Sequence, residues 1–138
     1  MSIGIRITSR CAAIMFIAVV LVAAASSRAT AHHSFAAFDV QTQKTVTGTV
    51  KQVEWTNPHI WIWLDVPNSK GGVDVFGFEG MSPNYLSRRN WTKGTLKPGD
   101  KITIDYRPLR DGKNGGMFMT GKLTSGTVLS MQGGPPDR

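Results

Sequence analysis

The segment from His59 to Val66 restricts the possible folds strongly, because its apolar side chains recur at every second residue. Its aliphatic face consists of Ile60, Ile62, Leu64 and Val66. Its opposite face alternates tryptophans with polar residues, namely His59, Trp61, Trp63 and Asp65. A period of two is typical of a β-strand that buries one of its faces. The aliphatic face therefore predicts a core, and the tryptophan face predicts more than a plain solvent surface.

Other segments also have strand character, and turn-forming residues separate them. They are Lys44 to Trp55, Val73 to Glu79, Lys101 to Arg107 and Met117 to Leu123, with Thr127 to Leu129 as an extension of the last. The apolar positions of the first segment change parity after Val50, which predicts a bulge, and Gly48 is the expected place of bending. After the third strand, Ser82 and Pro83 predict the start of a short helix.

These elements predict a mainly β protein, a small OB-like barrel of five to six strands with one short helix after the third strand. A β-sandwich is the alternative architecture. We expect the barrel domain over residues 44–130. An N-terminal arm at residues 32–43 precedes it, and a disordered tail at residues 131–138 follows it.

Residues 1–31 have the composition of a cleavable signal peptide. Arg6 and Arg10 precede an apolar run from Cys11 to Ala25, and Ala29 and Ala31 form an A-x-A cleavage site. The run is shorter than the roughly 20 residues that a membrane-spanning helix needs. The sequence thus predicts export to the periplasm or secretion, with no stable transmembrane segment after cleavage. An uncleaved signal segment that anchors the protein is the alternative.

Cleavage after Ala31 would place two adjacent histidines at the new N-terminus. The α-amine and imidazole of His32 would then lie close to the imidazole of His33. His59 completes the set of three histidines in the chain, and it would join them if the arm folds back across the barrel. Clustered nitrogen donors suit a divalent transition metal, with copper as the favoured ion. Cleavage after Ala29 instead would put His32 at position three, which also suits Cu(II) or Ni(II).

Each of these histidines also has a simpler interpretation. The pair at the start of the arm could be polar residues of an exposed segment. His59 could bind a loop carbonyl at the start of its strand. Removal of Cys11 with the signal peptide leaves no cysteine, so a metal site would use histidine, methionine, carboxylate or the amine.

Two methionines alternate on one face of the last long strand, Met117 and Met119. Paired thioethers can bind Cu(I), but methionine more commonly fills irregular gaps in a core. We therefore do not count either residue as a predicted metal ligand.

The tryptophan face supports a different function, that of a non-enzymatic binding module. Trp61 and Trp63, with Asn57 in the preceding turn, could contact a glycan, a lipid headgroup or a partner protein. Trp91 and Phe78 are further candidates for the same aromatic platform. The alternative is that the helix or the arm packs over this face.

Charge and motifs exclude several function classes. Loss of Arg6, Arg10 and Arg28 with the signal peptide would lower the net charge from +7 to +4, and the remaining basic residues are scattered. We therefore expect no nucleic-acid partner, but a metal ion or a periplasmic partner. No nucleophile motif, metalloprotease motif or phosphate loop occurs in the sequence, so we expect no enzyme.

Several short segments together resemble a family of small exported bacterial proteins that is catalogued as a domain of unknown function. The segments are Ala31-His32-His33-Ser34-Phe35, Glu54-Trp55-Thr56-Asn57-Pro58-His59, Phe78-Glu79-Gly80, Leu96-Lys97-Pro98-Gly99-Asp100 and Pro108-Leu109-Arg110-Asp111-Gly112. The resemblance implies a periplasmic single-domain protein and no particular activity. The chain departs from the family pattern at Asn90, where a glycine is expected before Trp91.

Overall fold

The computed structural model describes residues 33–131, except for the side chains of His33 and Ser34. The predicted signal peptide, His32 and the end of the predicted tail from Gln132 onward lie outside the described residues. The elements are α1 (His33–Ala36), β1 (Lys44–Glu54), β2 (Trp61–Pro67), β3 (Val73–Glu79), α2 (Pro83–Ser87), β4 (Lys101–Pro108), β5 (Gly115–Leu123) and β6 (Val128–Ser130).

The strands form a closed barrel with one additional strand. Their order is β3-β2-β1-β4-β5-β6. A parallel pairing of β3 with β5 closes the first five strands into a ring, and β6 extends the sheet beyond β5. The predicted OB-like barrel, with one short helix after the third strand, is confirmed. The sixth strand follows a turn at Gly126 and pairs back antiparallel onto β5, so it is a separate strand and not an extension of the fifth.

Strand β1 is shared between two neighbours, and this explains its change of phase. Residues 44–49 pair with β4 and residues 49–54 pair with β2. The register shifts between Val50 and Gln52, so the predicted bulge exists at Lys51. Gly48 lies where the strand passes close to β2, because an added Cβ would lie 2.8 Å from the Asp65 carbonyl oxygen. A side chain there would force the two strands apart.

The barrel interior confirms the predicted core face of β2. Ile60, Ile62 and Leu64 are fully buried, although Ile60 lies just before the strand. Around them pack residues from β3, β4 and β5, namely Phe78, Ile102, Ile104, Tyr106 and Phe118. Burial of such side chains dominates the stability of a domain of this size, at about 1.5–3 kcal/mol for each.

Two residues proposed for the aromatic platform belong to this core instead. Phe78 meets Tyr106 edge to face at 5.1 Å between ring centroids. Trp91 meets Phe118 edge to face at 6.0 Å. Both are buried: Phe78 faces inward from β3, and Trp91, in the segment after α2, packs into the core cluster.

The segment around α2 is held by local and long-range hydrogen bonds. The Ser82 hydroxyl accepts from the Tyr85 amide at 3.3 Å, which confirms the predicted cap, and Pro83 opens the helix. Asn90 has a φ of 59°, a left-handed conformation that glycine favours and asparagine tolerates. The departure from the family pattern at this position is therefore compatible with the same turn. The Trp91 indole donates to the Ser130 carbonyl at 3.1 Å, which joins the segment to β6.

Met131 corrects the predicted boundary of the tail. Its side chain is only 4% exposed and belongs to the core cluster, because β6 leads the chain back over the end of the barrel. Between His33 and Met131, neither helix has the length and apolar character that a membrane-spanning helix requires.

Candidate functional site

His59 is held at one end of the barrel by the backbone that follows it. The Ile60 amide donates to the Met81 carbonyl at 3.1 Å, and the Gly80 amide donates to the Ile60 carbonyl at 2.9 Å. These two bonds extend the pairing of β2 with β3 beyond the strand ends. They bring the segment at His59 next to Glu79, the last residue of β3.

The side chain of His59 lies against the carboxylate of Glu79. Its Nδ1 atom contacts the Glu79 carboxylate oxygen Oε1. The histidine side chain is 33% exposed and the glutamate side chain is 15% exposed, so the pair lies at the rim of the structure. In the neutral tautomer that carries its proton on Nδ1, the Nε2 atom has the free lone pair. Histidines that bind metals are commonly oriented in this way.

Glu79 also lines a cavity of about 110 Å³. The wall of this cavity is largely apolar, and it contains Phe35, Gly80, Met81, Met117, Phe118, Met119 and Met131. These residues come from α1, the end of β3, β5 and the end of β6. The cavity is thus a place where the start and the end of the described chain meet the barrel.

The arm reaches this cavity because it is attached along the end of β4. Phe38 forms a β-bridge with Leu109 and is 2% exposed. The Asp39 amide donates to the Pro108 carbonyl at 2.8 Å, and the Arg110 amide donates to the Ala37 carbonyl at 2.9 Å. The single helical turn α1 precedes this anchor, and its Phe35 lines the cavity while remaining 60% exposed.

The turn that leads from the arm into β1 is also fixed by a carboxylate. Asp39 accepts hydrogen bonds from the Thr42 hydroxyl at 2.5 Å and from the Gln41 amide at 3.2 Å. These bonds, the Thr42 hydroxyl first, lower the pKa of Asp39 below its ordinary value. The direction of the arm is therefore set by a local turn as well as by the bridge.

The structure thus describes one of the three predicted metal ligands in full. His59 is placed beside Glu79; the side chain of His33 and all of His32 lie outside the described residues. Within residues 33–131, no group of three or more histidine, cysteine, aspartate or glutamate side chains is arranged to hold a metal ion. Of the predicted site, the described residues contain the His59–Glu79 pair at the rim. They also contain Phe35, which lies two residues after His33 in the sequence.

The predicted tryptophan site lies on the outer face of the barrel. Trp61 and Trp63 stack with 5.5 Å between ring centroids and 17° between ring planes. The Trp63 indole donates to the Glu54 carboxylate at 2.9 Å. The Trp63 ring also covers Gly77, where an added Cβ would lie 2.5 Å from a ring carbon. Asn57 is exposed in the loop between β1 and β2.

Two features of the site were missed by sequence reasoning. The sequence predicted neither of two contacts: Glu79 pairs with His59, and Glu54 accepts a hydrogen bond from the Trp63 indole. Met81 and Met131 were not singled out, although they line the same cavity as Met117. The His59–Glu79 contact was partly predictable from the β2–β3 hairpin. Trp61 pairs with Glu79, and this places His59, two residues before Trp61, near that glutamate.

Comparison with known proteins gives one match. The profile of a family of unknown function (DUF6152) matches residues 18–119, which is more than half of the chain. No curated protein and no solved structure matches it. The matched range includes the arm, the His59–Glu79 pair and the stacked tryptophans. The resemblance to a family without known function is confirmed, and export remains a prediction.

Proposed function

The chain belongs to the family of unknown function DUF6152, and we propose that it binds copper through His59 and the histidines at the start of the arm. In this proposal Glu79 orients His59, and His32 and His33 supply the remaining nitrogen ligands. The second part of the proposal is that the protein acts in the periplasm or outside the cell. There, removal of residues 1–31 frees the α-amine of His32.

One observation carries the proposal: Phe35 and Glu79 line the same cavity. Glu79 is bonded to His59, and His33 precedes Phe35 by two residues. A span of two residues is at most about 7 Å of extended chain. This spacing supports the proposal that the start of the arm reaches the His59 imidazole.

The chemistry of these donors suits Cu(II). Imidazole and amine nitrogens bind Cu(II) more tightly than they bind other first-row divalent ions, following the Irving–Williams order. A carboxylate on the far ring nitrogen fixes the orientation of a histidine ligand and increases its basicity. His59 meets this second requirement with Nδ1 directed at Glu79.

The test is a Cu(II) titration of protein exported with its own signal peptide, with the N-terminus confirmed by mass spectrometry. We expect one tightly bound Cu(II) per chain and nitrogen hyperfine coupling in the EPR spectrum. His59→Ala should weaken binding at least tenfold and remove one nitrogen coupling. Asn57→Ala, an exposed change in the same loop, is the matched control and should bind as the wild type does.

A second preparation tests the α-amine. A short N-terminal extension before His32 blocks the amine while leaving all three imidazoles in place. We expect weaker binding and an altered EPR spectrum. Weak binding by the native protein, or binding unaffected by both His59→Ala and the extension, would contradict the proposed site.

The stacked pair Trp61 and Trp63 supports a second candidate function, recognition of a glycan, lipid headgroup or partner protein. The two parallel indoles are half-buried, and Glu54 holds one of them. Flat aromatic surfaces of this kind bind sugar rings or bases by stacking. Adding a glycan should change the tryptophan fluorescence of the wild type. The change should be smaller in Trp61→Ala and as large as in the wild type in His59→Ala. Fluorescence that stays constant with a panel of oligosaccharides would contradict glycan recognition.

A further inference from the structure

Every methionine of the described residues lines the same cavity. The four residues are Met81, Met117, Met119 and Met131. They make up half of the residues that line the cavity, and Phe35, Glu79, Gly80 and Phe118 make up the other half. Of the four, Met131 belongs to the buried core cluster and Met81 packs against it; the other members of that cluster are isoleucine, leucine, valine and aromatic residues. Met117 and Met119 are partly exposed on β5, on either side of the buried Phe118. Thioethers are thus concentrated around this cavity.

These methionines come together from separate parts of the chain. Met81 follows β3, and Met117 pairs in register with Glu79 across the parallel closure of the barrel. Met131 follows β6, and its amide donates to the Met119 carbonyl at 3.5 Å. Strand alternation accounts for Met117 and Met119 on β5, but the approach of Met81 and Met131 to them depends on the barrel closure and on β6.

Gly80 makes room for one of them. A Cβ added to Gly80 would lie 2.7 Å from the terminal methyl carbon of Met131. The absence of a side chain at this position lets the Met131 thioether lie across the end of β3. There it is buried and directed to the same space as the other three.

We propose that this cavity is a Cu(I) site whose ligands are the thioether sulfurs of the four methionines. Soft thioethers select Cu(I), and methionine has the flexibility to adjust to the coordination geometry. The Glu79 carboxylate supplies negative charge next to the monovalent ion, and Phe35 lines the same cavity. The ligand set includes none of the three histidines, so the site does not depend on the proposed Cu(II) function.

The test uses Ag(I), a redox-inert analogue of Cu(I), with protein carrying ¹³C-labelled methionine methyl groups. We expect one Ag(I) per chain and shifts in the methyl resonances of the four cavity methionines. Cu(I) affinity is then measured without oxygen against a chromophoric competing ligand. The double substitution Met117→Leu and Met119→Leu, which conserves volume, should lower that affinity at least tenfold.

Two controls make the result decisive. Val75→Leu adds an aliphatic group on the exposed part of β3 outside the cavity, and it should leave Cu(I) affinity unchanged. Thermal unfolding of each variant verifies that the barrel is folded. Absence of Ag(I) binding, unshifted methyl resonances, or wild-type Cu(I) affinity in the double variant would overturn the proposal. The cavity would then be an apolar space packed by methionine.

Discussion

The two faces of the β2 segment are stabilised in different ways. On the inner face Ile62 is fully buried among side chains from every other barrel strand. On the outer face Trp61 and Trp63 are larger but only half-buried, and specific contacts hold them: a stack, a hydrogen bond to Glu54 and a close fit over Gly77. The stability of the inner face therefore depends on the amount of apolar surface buried. The stability of the outer face depends on the geometry of these specific contacts. Substitutions on the two faces should differ accordingly.

The largest effect is expected on the inner face. Ile62→Ala removes fully buried methyl and methylene groups and leaves a cavity inside the closed barrel. We expect it to lower the free energy of unfolding by about 2–5 kcal/mol, measured by urea denaturation. Val75→Ala, an exposed aliphatic truncation on the adjacent strand, should change it by no more than about 0.5 kcal/mol. Equal losses in the two variants would contradict the distinction between the faces.

The next effect tests the close fit on the outer face. Gly77→Ala places a methyl group against the Trp63 ring and should cost about 1–3 kcal/mol through overpacking. Trp63→Ala in the same chain removes the ring and should recover much of that cost. A double-mutant cycle measures the coupling between the two positions. Additive losses would show that the ring does not constrain Gly77.

A smaller effect tests the hydrogen bond that orients Trp63. Glu54→Gln keeps an acceptor oxygen but removes its charge, so we expect a loss of about 0.5–1.5 kcal/mol. The coupled signal of the two stacked indoles in circular dichroism should also weaken, because the ring is less firmly held. Gln52→Ala is the matched control, since it removes a 3.3 Å hydrogen bond to the same Glu54 carboxylate while leaving the charge of Glu54 in place. An unchanged spectrum in Glu54→Gln would mean that stacking alone positions Trp63.

The smallest effect concerns Tyr106, a core residue on β4, at high pH. Burial raises the pKa of Tyr106 above its ordinary value of 10.0. The neutral phenol is thus favoured in the folded state, and its contribution to stability is complete below pH 10. It is lost as the pH rises through the folded pKa, because the unfolded chain ionises first. Tyr106→Phe should therefore lose less stability than the wild type between pH 9 and 11, as measured by urea denaturation at each pH.

The fold was predictable where its signals are local. Alternation identified the inner face of β2, and Ser82 with Pro83 identified the start of α2. The bulge in β1 was predictable in kind but lies at Lys51, since its position depends on which residues pair with β2 and which with β4. Local pattern thus determines what an element is, and pairing determines where it is interrupted.

The site was less predictable because it depends on contacts between distant residues. His59 was identified by its residue type, but its partner Glu79 follows from the pairing of β2 with β3. Met131 was assigned to the tail, because no strand pattern continues past Leu129 and its burial depends on the position of β6. A sequence supplies candidate ligands, and the closure of the barrel selects which of them meet.

The cavity between Phe35 and Met131 also has a consequence for the order of events during biosynthesis. Its wall includes residues from nearly the first and nearly the last positions of the described chain. An unfolded chain therefore has no such cavity, and bringing together residues of this sequence separation carries a large loop-closure cost. A metal ion held there would enter only after both segments have packed against the barrel. Loading would then depend on the metal available in the compartment where the barrel closes.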